Sequence, residues 1–297
     1  MPGSGNGCCS GKDGKREKAY KVGGKVTRDR MAREVPLDAE ALGRVEVSDI
    51  VVVRGQYDRV EQVLDAIEVP YTLISPLDLE RVRLFPNQVL VINCPGQVDE
   101  SAIPGIRSFV ERGGTLFTTD WALRHILEKA FPGVLAFNRR ETRDDVVRIE
   151  VKNKDNRFLA GVMDEGDDPQ WWLEGSSYPI SILAPEKVEV LITSRELERK
   201  YGEAPVAVRF RHGEGEVFHM ISHYYLQRTE LRDGRHMASA SEYVAAKGVV
   251  LDPSTAMEMR DLKVGDVESA ASSTRLFANV IAAKKRGPGP SGNGKRS

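Results

Sequence analysis

Between residues 48 and 130 the apolar positions alternate between two periods. Residues 48–55 contain the unbroken run Ile50-Val51-Val52-Val53, closed by Gly55. Such a run suits a strand buried on both faces of a parallel sheet. Residues 57–67 place Val60, Val63, Leu64 and Ile67 at helical spacing, and 71–74 and 88–93 read as two more short strands. A helix is predicted over 102–112, with Ile103, Ile106 and Val110 on one face. Gly113-Gly114 stops it, Thr115 to Thr119 forms a β-branched and aromatic strand, and Leu123, Ile126, Leu127 and Ala130 make the stripe of a further helix. Strand and helix in this rhythm imply right-handed crossovers and a mostly parallel sheet with helices on both faces, an α/β fold of flavodoxin-like, three-layer type.

After Phe131-Pro132-Gly133 the rhythm changes. Residues 134–137 and 146–151 suggest a hairpin or excursion, 164–168 an acidic loop, and 188–193, 205–210 and 216–222 three closing strands. Gly213 and Gly215 mark the turn between the last two strands, not a phosphate loop, because no helix follows them. Helices are predicted over 237–246, 254–262 and 267–285, so that 228–265 reads as a helical insertion. Gly287-Pro288-Gly289-Pro290 ends the last helix.

Composition adds an uneven charge. The chain has 297 residues, 40% hydrophobic and 29% charged, with a net charge of −1. Residues 1–34 carry +5 and 284–297 another +5, which leaves −11 for the body. Residues 1–44, rich in Gly, Lys and Arg, have little periodicity and are expected to form a disordered, dispensable arm, as is the basic tail 286–297. The folded domain is then 45–285. Basic tails allow weak nucleic-acid contact, although nothing in the body interleaves aromatic and basic residues to support it. No apolar run reaches the roughly 18 residues of a membrane span, and the first residues lack a secretory core, so a cytoplasmic location is expected. Three cysteines are too few for a disulfide framework; Cys8-Cys9 are adjacent in a Gly/Ser-rich segment, and Cys94 ends a strand.

In an open α/β sheet, ligands bind outside the carboxyl ends of the strands. That places candidate chemistry at the corner formed by Thr118-Thr119-Asp120-Trp121. Asp120 stands where a helix N-cap belongs and reads first as that cap, with a functional carboxylate as the alternative. His223, near the end of the last strand, has the titration range of an acid/base. Cys94 is a candidate relocated nucleophile, provided that a base or a helix terminus lowers its pKa. His219 and His223 lie four apart, but no third ligand accompanies them, so neither a metal nor a cofactor is expected. Trp171-Trp172 reads as core filling or as a stacking platform.

Four stretches carry a resemblance. The sequence Val89-Leu90-Val91-Ile92-Asn93-Cys94-Pro95-Gly96 resembles the oxyanion strand and turn of the class I glutamine amidotransferase-like superfamily. Residues 109–120 resemble its helix, Gly-Gly and strand into the nucleophile elbow; 213–224 resemble its late hairpin strand with a histidine; and 273–280 resemble its closing helix. The resemblance implies an amidotransferase-like fold over 47–227 and 266–284. It also implies a Cys-His-carboxylate triad, of which His223 alone has a counterpart. The elbow cysteine is matched by Asp120, its two flanking glycines by Thr118 and Ala122, and the carboxylate by Tyr225. The expected function is therefore a catalytically degenerate module that binds a small ligand or another protein. The alternative is a hydrolase or amidase using His223 with Asp120 or Cys94. Arg54, Gly55, Cys94, Gly96, Thr119, Asp120, Trp121, His223 and Tyr224 are the candidate ligand-binding residues.

Overall fold

In the computed structural model, which describes residues 10–287, the chain opens with two helices, α1 (Ser10–Glu34) and α2 (Pro36–Gly43). Then come β1 (Ile50–Val53), α3 (Val60–Ala66), β2 (Thr72–Ile74), β3 (Val89–Ile92), α4 (Ala102–Glu111) and β4 (Thr115–Thr119). A π-helical turn (Leu123–Leu127) runs into α5 (Glu128–Ala130). Five strands follow: β5 (Leu135–Phe137), β6 (Asp145–Arg148), β7 (Glu150–Val151), β8 (Gln170–Leu173) and β9 (Ile180–Ile182). The chain continues through β10 (Val188–Thr193), α6 (Arg195–Tyr201), β11 (Pro205–His212) and β12 (Gly215–Met220). It closes with α7 (Gly234–Met237), α8 (Ala240–Ala246), α9 (Pro253–Met259) and α10 (Val264–Arg286).

Eight strands form one sheet in the order β2-β1-β3-β4-β12-β11-β10-β7. The first five run parallel, and β11, β10 and β7 extend the sheet antiparallel. Every residue of β1, β3 and β4 is buried, as expected of strands covered on both faces. The path reverses between β1 and β3. One crossover moves outward to β2 and the other inward to β4, so right-handed connections put α3 and α4 on opposite faces. The α/β architecture read from the periodicity is the one observed. Two small antiparallel pairs, β5 with β9 and β6 with β8, flank the main sheet, and α6 is a helix that the apolar pattern did not predict.

The N-terminal arm requires a correction. Residues 10–34 are a helix packed along α10 and against α2 and α3, with Ala19, Tyr20, Val22, Val26 and Met31 buried. Two of the glycines that suggested disorder, Gly23 and Gly24, sit at close helix crossings. A Cβ on Gly24 would lie 2.2 Å from the Ala66 carbonyl oxygen of α3, and one on Gly23 would lie 2.9 Å from the Ala271 nitrogen of α10. The basic residues that suggested nucleic acid instead meet the acidic body. Lys15 and Arg16 reach Asp266 at 2.7 and 2.6 Å, and Arg30 reaches Asp164 at 2.9 Å. Residues 1–9 and 288–297, including Cys8, Cys9 and most of the basic tail, lie outside the described residues.

Two results are expected from this docking. In a solvent-exposed helix Gly→Ala stabilises by about 1 kcal/mol. Gly24→Ala should instead destabilise by about 1–3 kcal/mol, because the added methyl overpacks the crossing with α3; urea unfolding gives the sign. The second concerns acid. Burial alone would raise the Asp266 carboxyl, but Lys15, Arg16 and Thr229 outweigh it and hold it below its ordinary range. A depressed folded-state pKa contributes stability above the unfolded value of about 4, and that stability is lost as pH falls through the folded value. The thermal midpoint should therefore drop below about pH 4, and Asp266→Asn should flatten that part of the profile.

Candidate functional site

β4 delivers Asp120 to the carboxyl edge of the sheet, where the chain must turn into the helical segment. Asp120 makes this turn at φ 45°, a left-handed conformation in which Asp and Asn are enriched. Its N–H donates to the Met220 carbonyl at the end of β12 (2.8 Å), and its own carbonyl accepts from Leu123 N–H (2.9 Å). The left-handed corner is thus held without flanking glycines. Gly96 supplies the close approach in their place, since a Cβ there would come within 2.7 Å of the Ala122 methyl.

The Asp120 side chain corrects the helix-cap reading. It turns away from the helical turn, and its Oδ1 accepts from Tyr178 N–H and its Oδ2 from the Ser177 hydroxyl, both at 2.8 Å. Asp120 is 1% exposed, as are Cys94 and His223. The three meet: the Cys94 Sγ lies 3.9 Å and the His223 Nε2 3.6 Å from Asp120 Oδ2. On its other side, His223 Nδ1 lies 3.7 Å from Glu174 Oε2. The separations from His223 are too long for hydrogen bonds, and neither ring nitrogen has a hydrogen-bond partner.

Glu174 is the residue that sequence reasoning missed. It follows β8, whose Trp171 and Trp172 are both buried, filling core rather than forming a platform. Its carboxylate, and not the side chain of Tyr225, faces His223. Tyr225 is instead buried against Tyr20, with ring centroids 4.6 Å apart. Nothing in the spacing from 174 to 223 pointed to the pair.

The electrostatics follow from burial among carboxylates. Burial raises the Asp120 carboxyl above its ordinary value, against His223, Tyr178 and Ser177. Burial disfavours the His223 imidazolium, but Asp120, Asp58 and Glu174 outweigh it and its pKa is raised. Three carboxylates around one imidazole favour its charged form. Burial and the Asp120 charge push the Cys94 thiol far up, which leaves it protonated at neutral pH and a poor nucleophile.

The remaining candidates scatter. Thr119 is buried and accepts from Cys94 N–H (3.1 Å), Tyr224 is buried among Phe117 and Phe277, and Gly55 is pressed against the Cys94 carbonyl. Arg54 is exposed and Trp121 half-buried, its indole N–H donating to the Ser176 carbonyl (2.7 Å). His219 sits on β12 beside Thr118 Oγ1 (2.9 Å), its pKa pushed down by burial to about 3. Around the edge, Asp58 accepts from the N–H groups of Tyr224 (3.1 Å) and Tyr225 (3.2 Å) and so ties the β1 loop to the end of β12. Beyond it, a cleft of about 610 Å³ opens between α1 and α3, with Tyr20, Lys21, Arg59, Gln62, Tyr225 and Gln227 in its lining.

Solved glutamine amidotransferases are among the structures similar to this chain. One, from Thermotoga maritima, is 10% identical with a TM-score of 0.44, covering 77% of this chain and 97% of that one. PurLQS from the same organism is 13% identical with a TM-score of 0.47, covering 78% and 96%. An exo-β-1,4-mannosidase from an Opitutaceae bacterium is 10% identical with a TM-score of 0.42, and there the chain spans only 31% of that protein's length. A β-galactosidase is likewise matched over 27% of its length. These likenesses concern the fold alone and carry no activity to this chain. No family model matches the chain, and no curated protein does. No helix among the described residues is long and apolar enough to cross a membrane.

Proposed function

We propose that this chain is a catalytically silent amidotransferase-like protein that works as a binding module. One observation carries the reading. At the elbow position the carboxylate of Asp120 is buried and both of its oxygens are engaged by Ser177 and Tyr178. A substrate cannot reach it without breaking the corner, and the adjoining Cys94 thiol is just as deeply buried. The cleft between α1 and α3 suits a small polar ligand instead, since its volume falls within the roughly 300–1,000 Å³ of ligand pockets and two tyrosines stand in it among charged and amide side chains.

The test is ammonia release from glutamine together with a thermal-shift screen of small metabolites. The expected result is no ammonia above a mock-purified control, and hits that are lost in Gln62→Leu. Ammonia release abolished by Cys94→Ala would overturn the reading. A hydrolase using Asp120 as nucleophile is the second reading. It is favoured by the left-handed Asp120 backbone and by His223 lying between Asp120 and Glu174. It ranks second because the carboxylate is sealed.

A further inference from the structure

The imidazole of His223 presents a problem that protein groups do not solve. It is 1% exposed, yet neither nitrogen has a hydrogen-bond partner. A buried polar atom left in this state keeps the full cost of losing its water. On its Nε2 side stand a carboxylate oxygen and a thiol sulfur, and the three donor atoms lie within 4.8 Å of one another. We propose that Cys94 Sγ, Asp120 Oδ2 and His223 Nε2 form a binding site for a divalent transition-metal ion of the zinc class, with Glu174 orienting the histidine.

The geometry fits such an ion. Metal–ligand bonds of about 2.0–2.3 Å in a tetrahedron put neighbouring ligand atoms roughly 3.3–3.8 Å apart. The Oδ2 to Nε2 distance is 3.6 Å and the Oδ2 to Sγ distance 3.9 Å, and all three donors lie within 4.8 Å of one another, so side-chain shifts of an ångström or less bring three ligands onto one ion, whose fourth position a water would fill. Thiolate, imidazole and carboxylate together form a donor set for zinc, rather than for calcium or magnesium, which prefer oxygen alone. Asp120 Oδ2 spends one lone pair on Ser177 and keeps another for the ion, while Oδ1 is held by Tyr178 N–H. Glu174, facing Nδ1, provides the carboxylate–histidine–metal arrangement that fixes the ring and its tautomer.

The ion would also relieve the electrostatic conflict of the corner. A carboxylate and a thiol buried beside an imidazole that has no hydrogen-bond partner are unfavourable there. A cation turns the thiol into a thiolate ligand and gives the imidazole its missing partner. A second cluster, Asp168, Asp233 and His236, has comparable spacing but no such deficit. Arg148 bridges its two carboxylates, and His236 bonds the Asp168 carbonyl and the Gln170 amide. The proposal does not rest on the binding-module reading, because a sealed ion would stabilise the corner whatever the cleft binds.

The experiment is titration of the full chain, stripped by chelator, with Co²⁺ and then Zn²⁺. The expected result is one Co²⁺ per chain with an intense sulfur-to-cobalt charge-transfer band in the near ultraviolet, displaced by Zn²⁺. Cys94→Ser should abolish the band, whereas the double variant Cys8→Ser/Cys9→Ser should keep it. Glu174→Gln, at a position 30% exposed and therefore tolerant, should weaken affinity about 10–100-fold while the far-ultraviolet spectrum is unchanged. Three results would overturn the proposal: no stoichiometric band, a band that survives in Cys94→Ser, or a band lost only with Cys8 and Cys9.

Discussion

A chain lacking residues 1–34 is expected to lose cooperative unfolding. The deletion exposes the surfaces of α10 and α3 that α1 covers. Burial of Val22, Val26 and Met31 alone contributes about 1.5–3 kcal/mol each, against a total domain stability of about 5–15 kcal/mol. Polar losses add to this. The Tyr20 hydroxyl donates to the Tyr224 carbonyl (2.6 Å) and accepts from Leu226 N–H (2.7 Å), so its removal strands both groups. Asp266, almost wholly buried, loses Lys15 and Arg16, and buried Arg275 loses Glu34 at 3.2 Å. Thermal unfolding by near-ultraviolet circular dichroism should show a broad or absent transition. An unchanged midpoint would mean that α1 is an ornament and that its packing contributes nothing.

The second large effect is at Asp120. Asp120→Ala leaves Tyr178 N–H and the Ser177 hydroxyl without an acceptor and removes a carboxylate beside His223. Breaking a buried, compensated charge of this kind costs about 3–5 kcal/mol. Alanine also tolerates the left-handed backbone poorly, whereas asparagine adopts it and keeps an oxygen for Tyr178. The expected order by urea unfolding is Asp above Asn, with Ser and Ala well below. Serine is the informative member, because an N-cap would accept it and this corner does not. Stability of Ser equal to that of Asn would restore the cap. Under the hydrolase reading, any turnover found by substrate screening would vanish in the Asn variant while its fold persisted.

The sheet was legible because its strands are continuous apolar runs between turn residues, and burial on both faces allows little else. What escaped had physical reasons. α1 carries few large apolar side chains because it buries small residues and the stems of basic ones, and its glycines serve helix crossings that no local pattern reveals. The α6 helix had legible ends, Ser194 capping Leu197 N–H and Gly202 at φ 84°, but too few apolar residues to show a period. Asp120 was found by position and misread in role, since a side chain's direction out of a left-handed residue depends on loop 174–178, distant in sequence. Glu174 was invisible for the same reason. The pairing of a basic arm with an acidic body was present in the charge tally, and the basic arm was assigned to solvent or an outside partner instead of to the body.

The docking of α1 on α10 also sets a timetable. Tyr20 and Ser273, which meet at 3.1 Å, are separated by 253 positions. On a ribosome adding roughly 5–20 residues per second, the first helix waits on the order of ten to fifty seconds for the surface it covers. Until then, its buried face is open to other chains. The native state closes only when α10 leaves the exit tunnel, so a premature stop near residue 264 acts on the beginning of the protein as much as on its end.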